Sequence, residues 1–352
     1  MRAKSRTRSR LAFALVGATL LVVFFTHIGP KAIAAQLVRI GPHAIFILAP
    51  YAIGTAISAL PWVWFLPPET RPDKKGVIAG RFAASGANSL LPFFGLAGEP
   101  TRLLWLERSA RASGLAAIVV DRVLYNTAGV ILLIAGGLTA LVATSLPPSI
   151  GIAAVGIATV IFIATIAIAG AVSRWGVGHR LHTLLRKYLG DGPAARQQFG
   201  AQMDERVRRL LGGARRPLWL GLIVHVGGRV ALCAEVFVAL WILGVTPSVE
   251  KALVLATVPI ATGLVASCIP SQLGVQEAAQ SLMCGALGMN PAIGFALVLL
   301  QRMRQLAFVP LTPLLLAMAR PKTARRADVR RSPALRDRKN PNSVLVAPLD
   351  RR

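Results

Sequence analysis

Long apolar runs alternate with short polar or basic stretches along most of the chain. A helix of about 20 apolar residues is long enough to cross the hydrocarbon of a bilayer. The pattern therefore predicts an all-α integral membrane protein with about six full transmembrane helices, at residues 11–28, 43–66, 114–142, 150–172, 218–244 and 292–319.

Two further apolar regions, near residues 76–113 and 251–289, are interrupted by Pro, Gly and a carboxylate. Hydrocarbon tolerates irregular backbone and charge only where protein or water satisfies them. We predict that each region is a re-entrant helical hairpin, which enters the membrane and returns to the same side. The breaks are expected at Pro92, Gly95, Gly98, Pro270 and Gly274.

The two predicted hairpins share a spacing. Glu99 follows Pro92 by seven positions, and Glu277 follows Pro270 by seven. An arginine lies on the span after each hairpin: Arg122 is 23 positions beyond the first Glu, and Arg302 is 25 beyond the second. The spans before the hairpins run in opposite directions, so the halves form an inverted repeat, an arrangement typical of transporters.

Charge fixes the predicted orientation. The 352 residues are 54% hydrophobic and carry a net charge of +26. Residues 1–10, 173–217 and 320–352 hold five, ten and eleven Lys or Arg, respectively. Basic segments beside apolar runs are typical of the cytoplasmic side and attract anionic lipids. They are nearly free of the aromatic residues that stack on bases, so we expect no nucleic-acid partner.

These boundaries predict three parts. Residues 1–10 are a basic cytoplasmic N-terminus, residues 11–319 are the transmembrane domain, and residues 320–352 are a basic, disordered cytoplasmic tail. The first apolar segment is interpreted as an uncleaved anchor; a cleaved signal peptide is the alternative. Within the basic cytoplasmic loop 173–217, three arginines predict a helix lying on the inner leaflet: Arg206, Arg208 and Arg209.

Charged side chains within the apolar regions are the candidate site, because a charge at the bilayer centre costs at least about 2.5–3.5 kcal/mol. We hypothesise that a set of such residues lines a cavity that binds a lipid headgroup: Glu99, Arg122, Arg229, Gln276, Glu277 and Arg302. The alternative is that Glu99–Arg122 and Glu277–Arg302 are structural ion pairs.

Two more polar residues lie in these regions. His225 is expected to be a satisfied interhelical histidine rather than a proton relay, and Arg81 to reach the inner interface through its long side chain.

No motif indicates a metal or cofactor. The three cysteines form no CxxC, the histidines form no HExxH, and GxxxxGK[ST] is absent. We expect neither a metal nor a cofactor, and no enzymatic activity.

Two signatures resemble a known family. Pro270-x-x-x-Gly274-x-x-Glu277, with Leu287-Gly288 and residues 296–302, resembles the C-terminal signature of the flippase-like family, also called the lysylphosphatidylglycerol synthase transmembrane region. Residues 91–102 followed by Asp121-Arg122 are similar to its N-terminal signature. The resemblance covers about residues 10–320. Only one Gly precedes Glu277, where family members often have two, which puts the substrate in doubt.

The resemblance implies a bacterial inner-membrane domain with two re-entrant hairpins that moves lipids between leaflets. Anionic or other polar-headgroup lipids are the expected partners. Bifunctional members continue into an aminoacyl transferase, whereas about 30 residues follow the last span here. The expected type is therefore a stand-alone member, such as those associated with hopanoid biosynthesis.

Two other functions remain open at this point. One is a membrane-embedded lipid phosphatase or transferase, whose chemistry calls for clustered acids; the sequence has no acidic pair beside either hairpin. The other is a non-catalytic partner in a complex that synthesises lipids, hopanoids or glycolipids.

Overall fold

The computed structural model describes residues 38, 41–90, 98–175, 193–213, 215–265, 269, 272–308 and 310–317. This part of the chain is helical and contains no strand. After a 3-10 helix over Gly41–Ile47, the α-helices are α1 (Leu48–Ile57), α2 (Leu60–Trp64), α3 (Lys74–Leu90), α4 (Arg111–Val142), α5 (Pro148–Trp175), α6 (Pro193–Gly212), α7 (Arg215–Ile242), α8 (Val249–Val265), α9 (Val275–Ala286), α10 (Pro291–Phe308) and α11 (Leu311–Ala317).

Four helical stretches within the described residues are long and apolar enough to cross a membrane: Gly41–Trp64, Arg108–Val142, Pro148–Ala171 and Arg215–Ile242. They coincide with four of the predicted spans. The first predicted span, residues 11–28, lies outside the described residues, as do the basic N-terminus, residues 1–10, and the tail, residues 320–352. The multi-pass, all-helical class is therefore confirmed.

The predicted span 292–319 is not one continuous helix. The structure divides it into α10, which ends at Phe308, and α11, which begins at Leu311. Pro310 lies between them. Proline lacks an N–H and disfavours the α conformation of the preceding residue, so a helix normally ends before it.

The first predicted hairpin has two unlike limbs. Its first limb is α3, and its second limb is a short 3-10 helix, Glu99–Trp105, which packs against α3. Gly98 contacts α3 so closely that an added Cβ would overlap the Ala84 carbonyl oxygen. A larger residue at position 98 would push the limbs apart. Pro92 and Gly95 lie outside the described residues.

The second predicted hairpin has two α-helical limbs, α8 and α9, which pack against each other. Gly274 precedes α9 with a φ of +79°, which glycine adopts without steric cost. Gln280 Nε2 donates to the Leu255 carbonyl oxygen at 3.0 Å and so joins the two limbs. Pro270 lies outside the described residues.

Helix α4 lies at the centre of the fold and contacts α5, α6, α7 and α8. One buried apolar cluster lies mainly among α7, α8, α9 and α10, and includes Leu240, Leu255 and Leu297. Another joins α2, the Glu99–Trp105 segment, α4 and α6, and includes Trp62 and Leu103. These clusters fix both predicted hairpins against long helices.

Helix α6 carries the basic residues that predict a helix on the inner leaflet. Its apolar side is covered by protein, since Met203 and Val207 are fully buried in the cluster with Trp62. Arg206 donates to the Phe65 carbonyl oxygen at 3.4 Å. Only the opposite face, with the exposed Arg208 and Arg209, is available to a lipid surface.

Candidate functional site

Glu99 is the centre of a buried ionic group. It begins the 3-10 helix after Gly98, and its side chain is 3% exposed. Three guanidinium groups donate to its carboxylate: those of Arg81 at 3.3 Å, Arg102 at 3.0 Å and Arg122. A buried carboxylate is retained only with such charge-assisted hydrogen bonds.

Asp121 extends this group across α4. Arg102 Nη1 donates to Oδ2 of Asp121 at 2.9 Å, so this arginine joins Asp121 to Glu99. Oδ1 of Asp121 lies 3.0 Å from His225 Nε2 on α7. As predicted, the histidine makes an interhelical contact, and its side chain is fully buried.

Asn88 holds α3 against the start of the 3-10 helix. Its Nδ2 donates to Glu99 Oε1 at 3.4 Å, and its Oδ1 accepts the Gly98 N–H at 2.7 Å. The amide therefore orients Glu99 and satisfies the backbone N–H of Gly98, which precedes the 3-10 helix.

Tyr125 forms the aromatic wall of the group. It lies one helical turn beyond Asp121, on the same face of α4. Its ring centroid lies 4.0 Å from the Arg229 guanidinium carbon, 5.2 Å from that of Arg122 and 5.4 Å from that of Arg81. Cations over an aromatic face are attracted by its quadrupole, so the ring partly offsets their repulsion.

The group has two layers. The inner layer contains two carboxylates and two arginines, and its net charge is zero: Arg81, Glu99, Arg102 and Asp121, with side chains 0–10% exposed. The outer layer contains two further arginines that are partly exposed: Arg122 (17%) and Arg229. We call these six residues, with Tyr125, the arginine cluster. Its formal charge is +2, because four arginines accompany two carboxylates.

Arg229 differs from the other arginines of the arginine cluster. It donates to the Tyr125 carbonyl oxygen at 3.5 Å and lies against the ring, but it pairs with no carboxylate among the described residues. The arrangement offers guanidinium groups whose geometry suits oxygen anions.

Glu277 lies in the third position of α9 and has a different environment. Its Oε2 accepts the Gly274 N–H at 2.9 Å, the reach-back contact of a capping box. Its Oε1 accepts Arg302 Nε at 2.7 Å. Both oxygens are used and the side chain is fully buried. Nearby, Gln276 Nε2 donates to Gln272 Oε1 at 2.8 Å.

The predicted site residues thus fall into two groups. Glu99, Arg122 and Arg229 lie in the arginine cluster, whereas Gln276, Glu277 and Arg302 lie at the start of α9 and on α10. Both ion pairs named from the sequence are present. Whether these residues bind a headgroup stays a prediction.

A third ionic group was not expected from the sequence. Arg304 of α10 pairs with the buried Glu235 of α7, and its guanidinium carbon lies 4.0 Å from the Tyr51 ring centroid. The Tyr51 hydroxyl lies 2.8 Å from Ser85 Oγ. These contacts join α1, α3, α7 and α10.

Sequence reasoning missed several members of the arginine cluster. Arg81 is buried against Glu99 instead of extending to the interface. Arg102 is fully buried and stacks on Trp62 at 4.5 Å. Its position three residues after Glu99, and that of Tyr125 four after Asp121, are the spacings that could have revealed them.

Within the described ranges, no three His, Cys, Asp or Glu side chains lie together as potential metal ligands. The polar groups that do converge are guanidinium groups, carboxylates and one imidazole, linked by direct hydrogen bonds.

Comparison with known proteins gives one match. The family model for the lysylphosphatidylglycerol synthase TM region matches residues 10–312. No curated protein and no solved structure matches the chain. The match covers all three ionic groups and both predicted hairpins, and with it the chain belongs to the lysylphosphatidylglycerol synthase transmembrane-region family.

Proposed function

We propose that this protein is a lipid flippase or lipid transporter of the bacterial inner membrane, in which the headgroup passes the arginine cluster while the acyl chains stay in lipid. The observation that carries the proposal is the partly exposed Arg229, which lies on the Tyr125 ring without a carboxylate partner among the described residues.

The depth of Arg229 supports a site inside the membrane. It lies 14 residues after the start and 13 before the end of α7. At about 1.5 Å per residue it is about 20 Å from either end of the helix. A charge so far from both ends is costly in hydrocarbon, and such residues usually mark a substrate or ion pathway.

The two predicted hairpins support movement of the headgroup between leaflets. In each, a carboxylate after the break pairs with an arginine on the following long helix: Glu99 with Arg122, and Glu277 with Arg302. Corresponding contacts in the two halves fit an inverted repeat. In this proposal both termini lie in the cytoplasm. Rocking of one half against the other would then expose the site alternately to each side.

Family membership supports a lipid as the cargo, because the family is described as the membrane region of a lipid synthase. A lipid phosphatase or transferase is less well supported. The buried carboxylates of the arginine cluster are already engaged by arginines.

The test is transport by the purified full-length chain in vesicles that contain a fluorescent lipid in both leaflets. Chemical quenching of the outer leaflet reports movement, with and without an imposed proton gradient. We expect Arg229→Gln to lower the initial rate at least tenfold. Arg208→Gln, an exposed arginine on α6, is the matched control and should retain the wild-type rate. Equal rates in protein-containing and empty vesicles, for anionic and zwitterionic lipids alike, would refute transport.

A further inference from the structure

We propose that Glu235 of α7 binds and releases a proton, and that this exchange couples movement of the headgroup to the proton gradient across the membrane. The step is a proton exchange alone: a proton adds to a carboxylate oxygen, the side chain becomes neutral, and the proton later leaves to water. The site belongs to the third ionic group, which consists of Glu235, Arg304, Tyr51 and Ser85. Only the coupling rests on the proposed function.

Hydrogen bonding sets Glu235 apart from the other buried carboxylates. Its Oε2 accepts from Arg304, whereas its Oε1 is buried and accepts no hydrogen bond from any described residue. Glu99, Asp121 and Glu277 each use both oxygens. The fifth, Asp204, lies on α6, outside the four candidate spans, and has an interaction of its own. A buried carboxylate that lacks hydrogen bonds takes up a proton at lower cost than one that is fully bonded.

Arg304 holds Glu235 through one nitrogen only. Its Nε is buried and has no hydrogen-bond partner among the described residues, so the pair uses half of the two-bond geometry available to arginine and a carboxylate. The guanidinium carbon also lies 4.0 Å from the Tyr51 ring centroid. This contact with the aromatic face remains when Glu235 is neutral, so proton uptake does not leave Arg304 without stabilisation.

The site contains one cation and one acid. Helix α7 packs against α1, α2, α4, α6, α8, α10 and the first 3-10 helix. Of their titratable groups, Arg304 of α10 pairs with Glu235, and Tyr51 of α1 lies beneath the guanidinium group. On α7 itself, Cys233 precedes Glu235 by two positions and projects from a different side of the helix. Proton uptake therefore changes the charge of the Glu235–Arg304 pair from neutral to positive.

The other titratable groups of the packed elements lie apart from Glu235. The charged groups of α4 that contact α7 do so at His225 and Arg229, which precede Glu235 by ten and six residues. Those of α8 lie in its first turn, Arg302 of α10 pairs with α9, and α2 has none. Helix α6 packs in the apolar cluster at the start of α7, and His43 of the 3-10 helix is exposed.

Arg304 joins the two halves of the predicted repeat. Its pair with Glu235 attaches α10 to α7, and its contact with Tyr51 attaches α10 to α1. The Tyr51 hydroxyl continues this connection to Ser85 of α3. A neutral Glu235 would weaken the attraction between α7 and α10 and leave the contact with α1. Because α7 also carries Arg229, the change would reach the proposed headgroup site along a single helix.

Infrared spectroscopy of the purified full-length chain tests the proton site without any transport step. Difference spectra between acidic and alkaline buffer should show the C=O stretching band of a neutral carboxylic acid shielded from water. Glu235→Gln should abolish this band, because the amide keeps an acceptor for Arg304 but cannot ionise. Glu250→Gln, which removes an exposed carboxylate of α8, is the matched control and should retain the band. Melting of each variant checks that it is folded.

Glu235→Asp keeps the test decisive if Glu235→Gln does not fold. Isotope-labelled glutamate should shift the band of the wild type and leave that of the Asp variant in place, because the band then belongs to an aspartate. A wild-type protein without the band, a band that persists in Glu235→Gln, or a band that still shifts in Glu235→Asp would overturn the proton site. Glu235 and Arg304 would then be a structural ion pair.

Vesicles that contain the full-length chain and a trace of fluorescent zwitterionic lipid test the coupling. For a single proton per lipid, a gradient of about one pH unit at zero membrane potential shifts the distribution of lipid between the leaflets about tenfold. The wild type should reach this asymmetry, and Glu235→Gln should leave the lipid evenly distributed. Lipid movement by the wild type without asymmetry would overturn the coupling. A Glu235 band with no lipid movement at all would refute the proposed function and the coupling, and would leave the proton site standing.

Discussion

Nε of Arg302 lies 2.7 Å from Oε1 of Glu277, across the junction between α9 and α10. The other oxygen of this carboxylate accepts the Gly274 N–H at 2.9 Å. One side chain therefore closes the start of α9 and attaches it to the next helix. This geometry is what the ion-pair hypothesis requires; a headgroup role for Glu277 stays a prediction.

Glu277→Gln should destabilise the protein by about 3 kcal/mol, because it breaks the buried ion pair with Arg302. The measurement is thermal melting in detergent. Glu250→Gln is the matched control: Glu250 is exposed in the first turn of α8, and its replacement should leave the melting temperature nearly unchanged. A Glu277→Gln protein that melts with the wild type would contradict the structural role.

Gly294→Ala should be strongly destabilising. An added Cβ on α10 would overlap the backbone of Gln280 on α9, and backbone cannot move aside as a flexible side chain can. Overpacking of this kind costs about 1–3 kcal/mol or more. At Gly156 on α5 nothing lies within 4 Å of an added Cβ. Gly156→Ala should therefore be neutral or stabilise the helix by up to about 1 kcal/mol. Similar melting of the two variants would show that α9 and α10 are not packed as described.

Two substitutions of His225 distinguish its possible roles. His225→Leu removes the contact to Asp121 and should cost about 1–3 kcal/mol, because a buried acceptor loses a partner. His225→Gln offers a donor in the same region and should cost less. If the histidine is only structural, the Gln variant keeps transport with the pH profile of the wild type. Loss of transport in a stably folded Gln variant would instead identify a proton relay.

The ring and the hydroxyl of Tyr51 should make separate contributions to the stability of the protein. Tyr51→Phe loses the contact with Ser85 and should cost about 1 kcal/mol. Tyr51→Leu also removes the ring beneath Arg304 and should cost about 1–2 kcal/mol more. Melting of both variants gives the difference. Equal stabilities would mean that the ring contributes nothing to the Glu235–Arg304 pair.

Single-cysteine labelling tests the proposed opposed hairpins. In a chain whose native cysteines are replaced, Ser271→Cys should react with an impermeant reagent from outside the cell, and Ser89→Cys from the cytoplasmic side. These reactions follow from hairpins that enter from opposite faces. Reaction of both positions from the same side would contradict the inverted repeat.

Sequence reasoning located the partners Glu99–Arg122 and Glu277–Arg302, because a charge in an apolar run needs an opposite charge and few candidates exist. It could not locate Arg81, since a long cation within an apolar helix fits both an interfacial and a buried position. Only tertiary packing places it against Glu99.

The four long spans were predictable because lipid-facing helices must be apolar over their whole length. The packing of α6 was harder to predict. Its basic residues suggested a surface helix, yet Met203 and Val207 pack into the core, and a 20-residue amphipathic pattern does not reveal whether lipid or protein covers its apolar face. The break at Pro310 was readable from the sequence and was overlooked within a long apolar run.

Three guanidinium groups share the Glu99 carboxylate, so the positions of the arginine cluster should differ in how well they tolerate substitution. Loss of Arg81 or Arg122 leaves the carboxylate with two of its three cations, so a cell carrying either change should still insert a folded protein. Loss of Glu99 withdraws a counter-charge from three cations at once. In a saturation library selected for surviving protein, codon 99 should be the most restricted of this group, and no single substitution elsewhere in the cluster should rescue it.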